Sequence, residues 1–167
     1  CEIGVREGLG SKIIMDGVRN NYIHVGVDPY GDLVYQHCDD QAERQWIGFE
    51  KGVAPTYPDS MRDTLLYDMM PYRKQGKFTL CNMTDEDFMN ISKHKESKFA
   101  FVHLDGPHTT KAVSTEAVWF ANHSAPNTRI VFDDYKNYDM ALIARLLEYY
   151  DFKVIESGKN KCLMEKK

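Results

Sequence analysis

The chain has 167 residues, of which 43% are hydrophobic and 12% aromatic, and its formal net charge is -4. A chain of this length and composition can bury a sizeable core, which excludes a disordered polymer and predicts a single domain over residues 1–167. It has no dense basic run and no apolar run of membrane-spanning length. We therefore expect a soluble, cytoplasmic protein that binds neither nucleic acid nor a membrane.

The cysteines indicate a reducing compartment. The four of them are far apart and form no C-x-x-C pair: Cys1, Cys38, Cys81 and Cys162. This spacing argues against a zinc site or a disulfide framework. The first residues, Cys1 to Gly4, are typical of the end of a strand, so we also expect that an N-terminal segment is missing from this sequence.

A glycine-rich turn follows that short strand. Gly4, Gly8 and Gly10 would let the backbone approach a ligand closely, because side chains at these positions would collide with it. A helix is expected next, with Ser11 as its N-cap. The turn alone is a weak indication of a nucleotide-like ligand.

The second predicted strand strengthens that indication. The run from Tyr22 to Val27 is typical of a strand, and it ends at Asp28. A carboxylate about 20 residues after a glycine turn is where doubly wound folds bind a ribose diol. The alternative is an aspartate that only joins a strand to the turn at Pro29. The glycine turn favours the ribose interpretation.

Residues 31–76 follow a less regular pattern. They contain Trp46, Phe49 and a helix-like run from Ser60 to Met70. An insertion of this length after the second strand is predicted to lie over the ligand crevice as a lid. The alternative is a surface excursion that packs its own aromatic side chains.

The rest of the chain alternates strands and helices. We predict strands at 77–81, at 99–104 and at 128–132, helices from about 85, at 110–122 and at 141–149, and a terminal hairpin of 152–156 with 161–165. This alternation indicates an α/β sheet that ends in an antiparallel pair. Asn82 and Met83, which follow the third strand, are predicted to contact a base ring.

Carboxylates stand where the fourth and fifth strands end. Asp105 ends one buried run, and Asp133 and Asp134 end the next. Aspartate is depleted from strands and costly to bury alone, while strand tips line the crevice of an open α/β sheet. We therefore predict that the three carboxylates converge on one hard metal ion. For Asp133 and Asp134 the alternative is that one caps a helix or pairs with a lysine such as Lys136 while the other is solvated.

Two histidines accompany Asp105. His108 follows it by three residues and is predicted to be a general base, although it could instead only cap the next helix. His103 precedes it by two residues on the same face of the strand, where it could support a ligand of the metal.

These motifs together resemble a known family. Glu2-Ile-Gly4 with Gly8, Asp28, Asp105-Gly-Pro-His108 and Ile130-Val-Phe-Asp-Asp-Tyr135 resemble class I S-adenosylmethionine-dependent methyltransferases. Within that class they are similar to the metal-dependent sugar O-methyltransferases of macrolide and aminocoumarin biosynthesis. The resemblance implies a Rossmann-like α/β fold with a seven-stranded, mostly parallel sheet, an antiparallel last strand and helices on both faces.

The resemblance also implies roles for particular residues. Asp105, Asp133 and Asp134 would bind Mg²⁺ or another divalent cation, and the catalytic residues would be His108 and Asp105. The residues implied to bind S-adenosylmethionine are Glu2, Gly4, Val5, Arg6, Gly8, Ser11, Asp28, Asn82, Met83 and Asp105. The acceptor would be a hydroxyl of a small sugar or diol, and a homo-oligomer is left open.

Two other classes of function use part of this pattern. A nicotinamide-dependent oxidoreductase would also use the glycine turn and Asp28, but it would not need three carboxylates at strand tips. A non-catalytic cofactor-binding domain would need neither those carboxylates nor His108.

Overall fold

The computed structural model describes residues 1–18, 21–31, 38–39, 57–91 and 96–167. The strands are β1 (Glu2–Ile3), β2 (His24–Val27), β3 (Phe78–Cys81), β4 (Phe99–Leu104), β5 (Ser124–Phe132), β6 (Phe152–Ser157) and β7 (Cys162–Lys166). The helices are α1 (Leu9–Gly17), α2 (Asp59–Asp68), α3 (Met70–Lys74), α4 (Asp85–Asn90), α5 (Thr110–Asn122) and α6 (Met140–Glu148).

The described strands form one seven-stranded sheet in the order β3-β2-β1-β4-β5-β7-β6. Neighbouring strands from β3 to β5 are parallel, whereas β7 is antiparallel to both β5 and β6. The predicted fold class is therefore confirmed, including the antiparallel last strand. Because β1 lies between β2 and β4, the chain reverses its direction of travel across the sheet at β1, and a crevice opens there.

Two groups of buried side chains hold the sheet and its helices together. The larger one joins β4 and β5 to α5 and α6, and it includes Leu104, Phe120, Phe132, Ile143 and Leu147. The smaller one places α2 against the turn that follows β1, and it consists of Val5, Met15, Tyr30, Leu65, Met69 and Phe78. Burial of these apolar side chains fixes the strand tips relative to the loops that border the crevice.

Most predicted element boundaries hold to within two residues, and three elements differ in other ways. Helix α1 begins before Ser11, because Gly8 is its N-cap in a left-handed conformation with φ 82°. The predicted N-cap role of Ser11 is therefore wrong. The helix predicted from Ser60 to Met70 is two helices that meet at Met69. Strand β5 begins at Ser124, four residues earlier than predicted.

The predicted lid falls partly outside the described residues. Trp46 and Phe49 are outside the described residues, whereas Tyr57 forms an isolated bridge with Gly31. The lid interpretation stays a prediction. In the described part of the chain, no helix combines the length and the apolar character needed to cross a membrane.

Helix α5 carries a carboxylate into the core. Glu116 is 1% exposed, and its carboxyl group interacts with that of Asp85. Burial, together with the negative charge of Asp85, raises the pKa of Glu116 well above its ordinary value. The folded state therefore favours the protonated form of this side chain.

We expect Glu116→Gln to stabilise the fold at alkaline pH. The unfolded chain ionises this carboxyl near pH 4.5, whereas the folded chain resists ionisation, so wild-type stability falls as the pH rises above that value. The variant should gain roughly 1–3 kcal/mol at pH 8, and the gain should shrink toward pH 4.5. Thermal denaturation followed by circular dichroism measures it, with the exposed Glu148→Gln as the control. A gain that is equal at pH 5 and pH 8 would contradict the assignment.

Candidate active site

A cleft of about 1020 Å³ lies at the carboxyl ends of β1, β2, β4 and β5. Its volume is at the upper end of the range of about 300–1,000 Å³ that is usual for small-molecule sites. The predicted site residues that border it are Glu2, Gly4, Val5, Arg6, Asp28, Asp105, His108, Asp133 and Asp134. The cleft thus brings together residues from both halves of the sheet.

The turn after β1 is held by the carboxylate of Asp28. One oxygen of Asp28, Oδ2, accepts hydrogen bonds from the backbone N–H groups of Val5 (2.9 Å) and Arg6 (2.8 Å). The hydroxyl of Tyr30 donates to the carbonyl of Arg6. Burial raises the pKa of Asp28, while the two N–H donors oppose that rise. Asp28 therefore fixes the shape of the turn from the tip of the neighbouring strand.

Gly4 lets this turn approach the tip of β4. Its φ is 82°, and a Cβ atom at this position would overlap the backbone carbonyl of Asp105. A side chain is excluded by both the conformation and the space. The glycine-rich turn and the first carboxylate of the predicted metal site are consequently direct neighbours.

Glu2 is a buried residue at the border of the cleft, and it forms the centre of a polar network. Its side chain is 1% exposed, yet it accepts a hydrogen bond from the hydroxyl of Ser11, and its Oε1 lies 3.0 Å from Nδ1 of His103. Nε2 of His24 lies 3.0 Å from the hydroxyl of Ser11. Burial opposes the ionisation of Glu2, but the hydrogen bonds from His103, His24 and Ser11 outweigh it and lower the pKa of Glu2 to about 2.

This network orients the ring of His103. An ionised Glu2 only accepts hydrogen bonds, so Nδ1 of His103 carries a hydrogen atom and donates a hydrogen bond to Glu2. The other ring nitrogen, Nε2, lies 3.1 Å from Nζ of Lys161 and accepts its hydrogen bond. A buried carboxylate that fixes the tautomer of a histidine in this way is common behind metal sites.

Potential metal ligands meet in front of His103. One ligand atom each from His103, Asp105 and Asp133 lies within 4.8 Å of the others. Oδ1 of Asp133 accepts the backbone N–H of Asp134 at 2.9 Å, and Oδ2 accepts a hydrogen bond from Lys161. Burial raises the pKa of Asp105. It also opposes ionisation of Asp133, but the Lys161 ammonium and the Asp134 N–H lower the pKa of that carboxyl.

His108 lies between two of the predicted carboxylates. Nε2 is 3.6 Å from Oδ1 of Asp105, and Nδ1 is 3.9 Å from Oδ2 of Asp134. The ring is buried at the edge of the cleft, and Cys38 forms an isolated backbone bridge with the same residue. Asp134 thus faces His108, and His103 joins Asp105 and Asp133 in the group of closest ligand atoms.

Four residues that were predicted to contact the cofactor are not among those that border the cleft. Ser11 donates to Glu2, and a Cβ atom at Gly8 would overlap the side chain of Leu65. Oδ1 of Asn82 accepts the backbone N–H of Tyr30 at 3.1 Å. Met83 packs against the larger core group. Their contacts with a cofactor stay predictions.

Sequence reasoning missed Lys161 as part of this site. The alternative that an aspartate pairs with a lysine was considered for Lys136, but the partner of Asp133 is Lys161. The signal that could have identified it is the pairing of the terminal strand with the strand that ends at Asp133. That pairing places Cys162 opposite Phe132.

The fold and the cleft define a class of protein. A mostly parallel seven-stranded sheet with an antiparallel last strand, a glycine turn after β1 and an acid after β2 is the architecture of class I S-adenosylmethionine-dependent methyltransferases. A family model described as a methyltransferase domain (Methyltransf_24) matches residues 1–135. The chain therefore belongs to this family of methyltransferases. No curated protein matches it.

Solved structures of methyltransferases share the fold. The O-methyltransferase from Bacillus cereus, in complex with SAH, is 14% identical with a TM-score of 0.63, and the match covers 99% of this chain and 72% of that chain. The O-methyltransferase TomG from Streptomyces achromogenes, involved in tomaymycin synthesis and in complex with SAM, is 11% identical with a TM-score of 0.60, covering 99% and 70%.

A third similar structure is the ribosomal protein L11 methylase from Lactobacillus delbrueckii subsp. bulgaricus. It is 10% identical with a TM-score of 0.57, and the match covers 99% of this chain and 67% of that chain. At such identities the likeness shows the fold alone, so the acceptor must be argued from this chain's own residues.

Gly10 should be essential to the network around Glu2. A Cβ atom there would overlap Oε1 of Glu2, which is bound to His103. We expect Gly10→Ala to lower the free energy of unfolding by roughly 1–3 kcal/mol, because a buried hydrogen bond is broken. Urea denaturation measures the change. The matched control is Gly17→Ala in the same helix, where nothing lies within 4 Å. Equal stability of the two variants would contradict the role of Gly10.

Proposed function

We propose that this protein transfers a methyl group from S-adenosylmethionine to a hydroxyl of a small sugar-like or diol-like acceptor, with Mg²⁺ or another divalent cation bound beside it. The observation that carries the proposal is the close approach of Gly4 to Asp105. It joins the turn of a cofactor site to a group of carboxylates and histidines within one cleft. Methyl transfer requires that donor and acceptor be held in line at short distance, which such a junction favours.

The turn after β1 fits the cofactor. The left-handed Gly4 and the amide-bound Asp28 give a firm turn without bulky side chains at its closest approach to β4. The oxygen of Asp28 that the turn does not use would bind the ribose hydroxyls. Asn82 and Met83 precede Thr84, which borders the cleft, so this segment would contact the base. When bound, S-adenosylmethionine supplies a methyl group on a positively charged sulfur.

The carboxylates fit a divalent cation. Asp105 and Asp133 offer oxygen atoms of the kind that Mg²⁺ prefers, and His103 adds a nitrogen that Mn²⁺ would also accept. Asp134, which faces His108, stays a predicted third oxygen ligand. A divalent cation bound there would lower the pKa of an acceptor hydroxyl. Asp105 belongs to both halves of the site, because its backbone abuts Gly4 while its carboxylate joins the ligand group.

His108 would remove the proton of the acceptor hydroxyl. A neutral imidazole has one ring nitrogen that can accept a proton, and the carboxylates of Asp105 and Asp134 lie close enough to stabilise the imidazolium that forms. The ring borders the cleft in which the acceptor would bind. Loss of the hydroxyl proton makes the oxygen a better nucleophile toward the methyl group.

The alternatives are weaker on the same observations. The family match favours methyl transfer over a nicotinamide-dependent oxidoreductase. A non-catalytic domain would have no use for the pairing of His108 with two carboxylates. The net charge of -4 supports a small-molecule acceptor rather than nucleic acid.

Asp28→Ala should weaken cofactor binding by at least about tenfold, since it removes both the ribose ligand and the anchor of the turn. Isothermal titration of S-adenosylmethionine measures the affinity. Asp68→Ala, which removes an exposed carboxylate from α2, is the control and should bind as wild type does. A wild-type protein that binds no cofactor, or an Asp28→Ala variant that binds normally, would refute the assignment.

His108→Gln should lower kcat about 10²–10⁴-fold, because a general base contributes on that order, while cofactor affinity is retained. Methyl transfer to a panel of sugars and vicinal diols is measured with added Mg²⁺ and with a chelator. His123→Gln, at the far end of α5 and stacked on Trp119, is the matched control. Unchanged kcat in His108→Gln would exclude the base, and activity unaffected by the chelator would exclude the metal.

A further inference from the structure

We propose that Lys161 is the resident cation of the candidate metal site, so that a divalent cation binds there only when the lysine ammonium group leaves Asp133. The inference rests on the proposed function, because it concerns the ion that would assist methyl transfer. It adds that the ammonium group of Lys161 competes with the divalent cation for the site. The proposed reaction does not itself require such a competing group.

Strand pairing places Lys161 at the site. β5 and β7 are antiparallel with Phe132 opposite Cys162, so the next residue outward on each strand, Asp133 and Lys161, stand side by side. The hairpin turn is held in place, because the N–H of Gly158 donates to the carbonyl of Lys161 at 2.8 Å and the N–H of Tyr135 donates to Asn160 at 3.3 Å. The backbone therefore delivers this lysine to the strand tip.

The ammonium group of Lys161 contacts two potential metal-ligand side chains at once. It donates to Oδ2 of Asp133 and lies 3.1 Å from Nε2 of His103. Glu2 holds the proton of His103 on Nδ1, so Nε2 presents its lone pair to the ammonium group. Both residues belong to the group of three that could surround a metal ion, and these two atoms lie 3.8 Å apart. A single positive charge thus lies between two side chains that a divalent cation would use.

Lysine and metal ion exclude each other. Two like charges a few ångströms apart repel strongly in a partly buried site, and the lone pairs of Asp133 and His103 cannot serve both fully. Lys161 is able to leave, because its side chain is 53% exposed and its stem is flexible. Rotation of the side chain into solvent would open the site without any change in the strands.

The test is the affinity of the whole chain for Mn²⁺, measured from the electron paramagnetic resonance signal of the free ion. Lys161→Met removes the charge and keeps the stem, and it should bind Mn²⁺ at least tenfold more tightly than wild type. Lys161→Arg keeps the charge and should stay weak. Lys159→Met, an exposed lysine in the same turn, is the matched control and should match wild type.

Two results would overturn the inference. One is a Lys161→Met variant that binds Mn²⁺ no more tightly than wild type, including the case in which neither binds. The other is a gain that persists in the double variant Lys161→Met/Asp133→Asn, since the ion would then bind elsewhere. Thermal denaturation of each variant shows that it is folded before its affinity is compared.

The same samples separate this inference from the proposed function. S-adenosylmethionine is titrated into wild type and Lys161→Met, and methyl transfer is assayed with the acceptor panel. Absence of cofactor binding and of methyl transfer in both proteins would refute the proposed function. The Mn²⁺ affinities decide the role of Lys161 whatever that outcome, because they need neither cofactor nor acceptor.

Discussion

The buried carboxylate of Glu2 is the interaction on which the centre of this structure depends. An isolated buried charge costs several kcal/mol, and the fold offsets that cost with hydrogen bonds from Ser11 and His103. These bonds join β1 to α1 on one side and to β4 on the other. The helix can come this close only because residue 10 has no side chain. One ionised group therefore sets the spacing of three elements and the orientation of the histidine that faces the cleft.

The pKa shifts of the acidic residues differ between the two sides of the cleft. On the side of the turn after β1, Asp28 is buried with a raised pKa and holds the turn through backbone amides. On the other side, Asp105 has a raised pKa, whereas the pKa of Asp133 is lowered. Neighbouring acids whose pKa values are pushed apart can take different roles in one site, one remaining ionised while the other exchanges protons. The pKa of Asp133 is lowered chiefly by the ammonium group of Lys161, with a further contribution from the N–H of Asp134.

Local patterns in the sequence predicted the parts of the structure that depend on local physics. The helix predicted at 110–122 is observed with the same ends, because Thr109 caps it through its own side chain. Asp105 and Asp133 were found because apolar strands end there. The predicted N-cap role of Ser11 was wrong because the helix begins at Leu9, and the Ser11 hydroxyl donates to Glu2 instead. His103 and Glu2 are 101 residues apart, and no local pattern shows that they pair.

The register between β5 and β7 determines which residue of the terminal hairpin stands beside Asp133. Side chains alternate between the two faces of a strand, so a slip of one residue would turn Met164 out of the core and bring Cys162 level with Asp133. The turn at 158–160 could vary in length without that effect, provided that Cys162 remained opposite Phe132. Insertions and deletions should thus be tolerated within the turn and excluded from β7 itself.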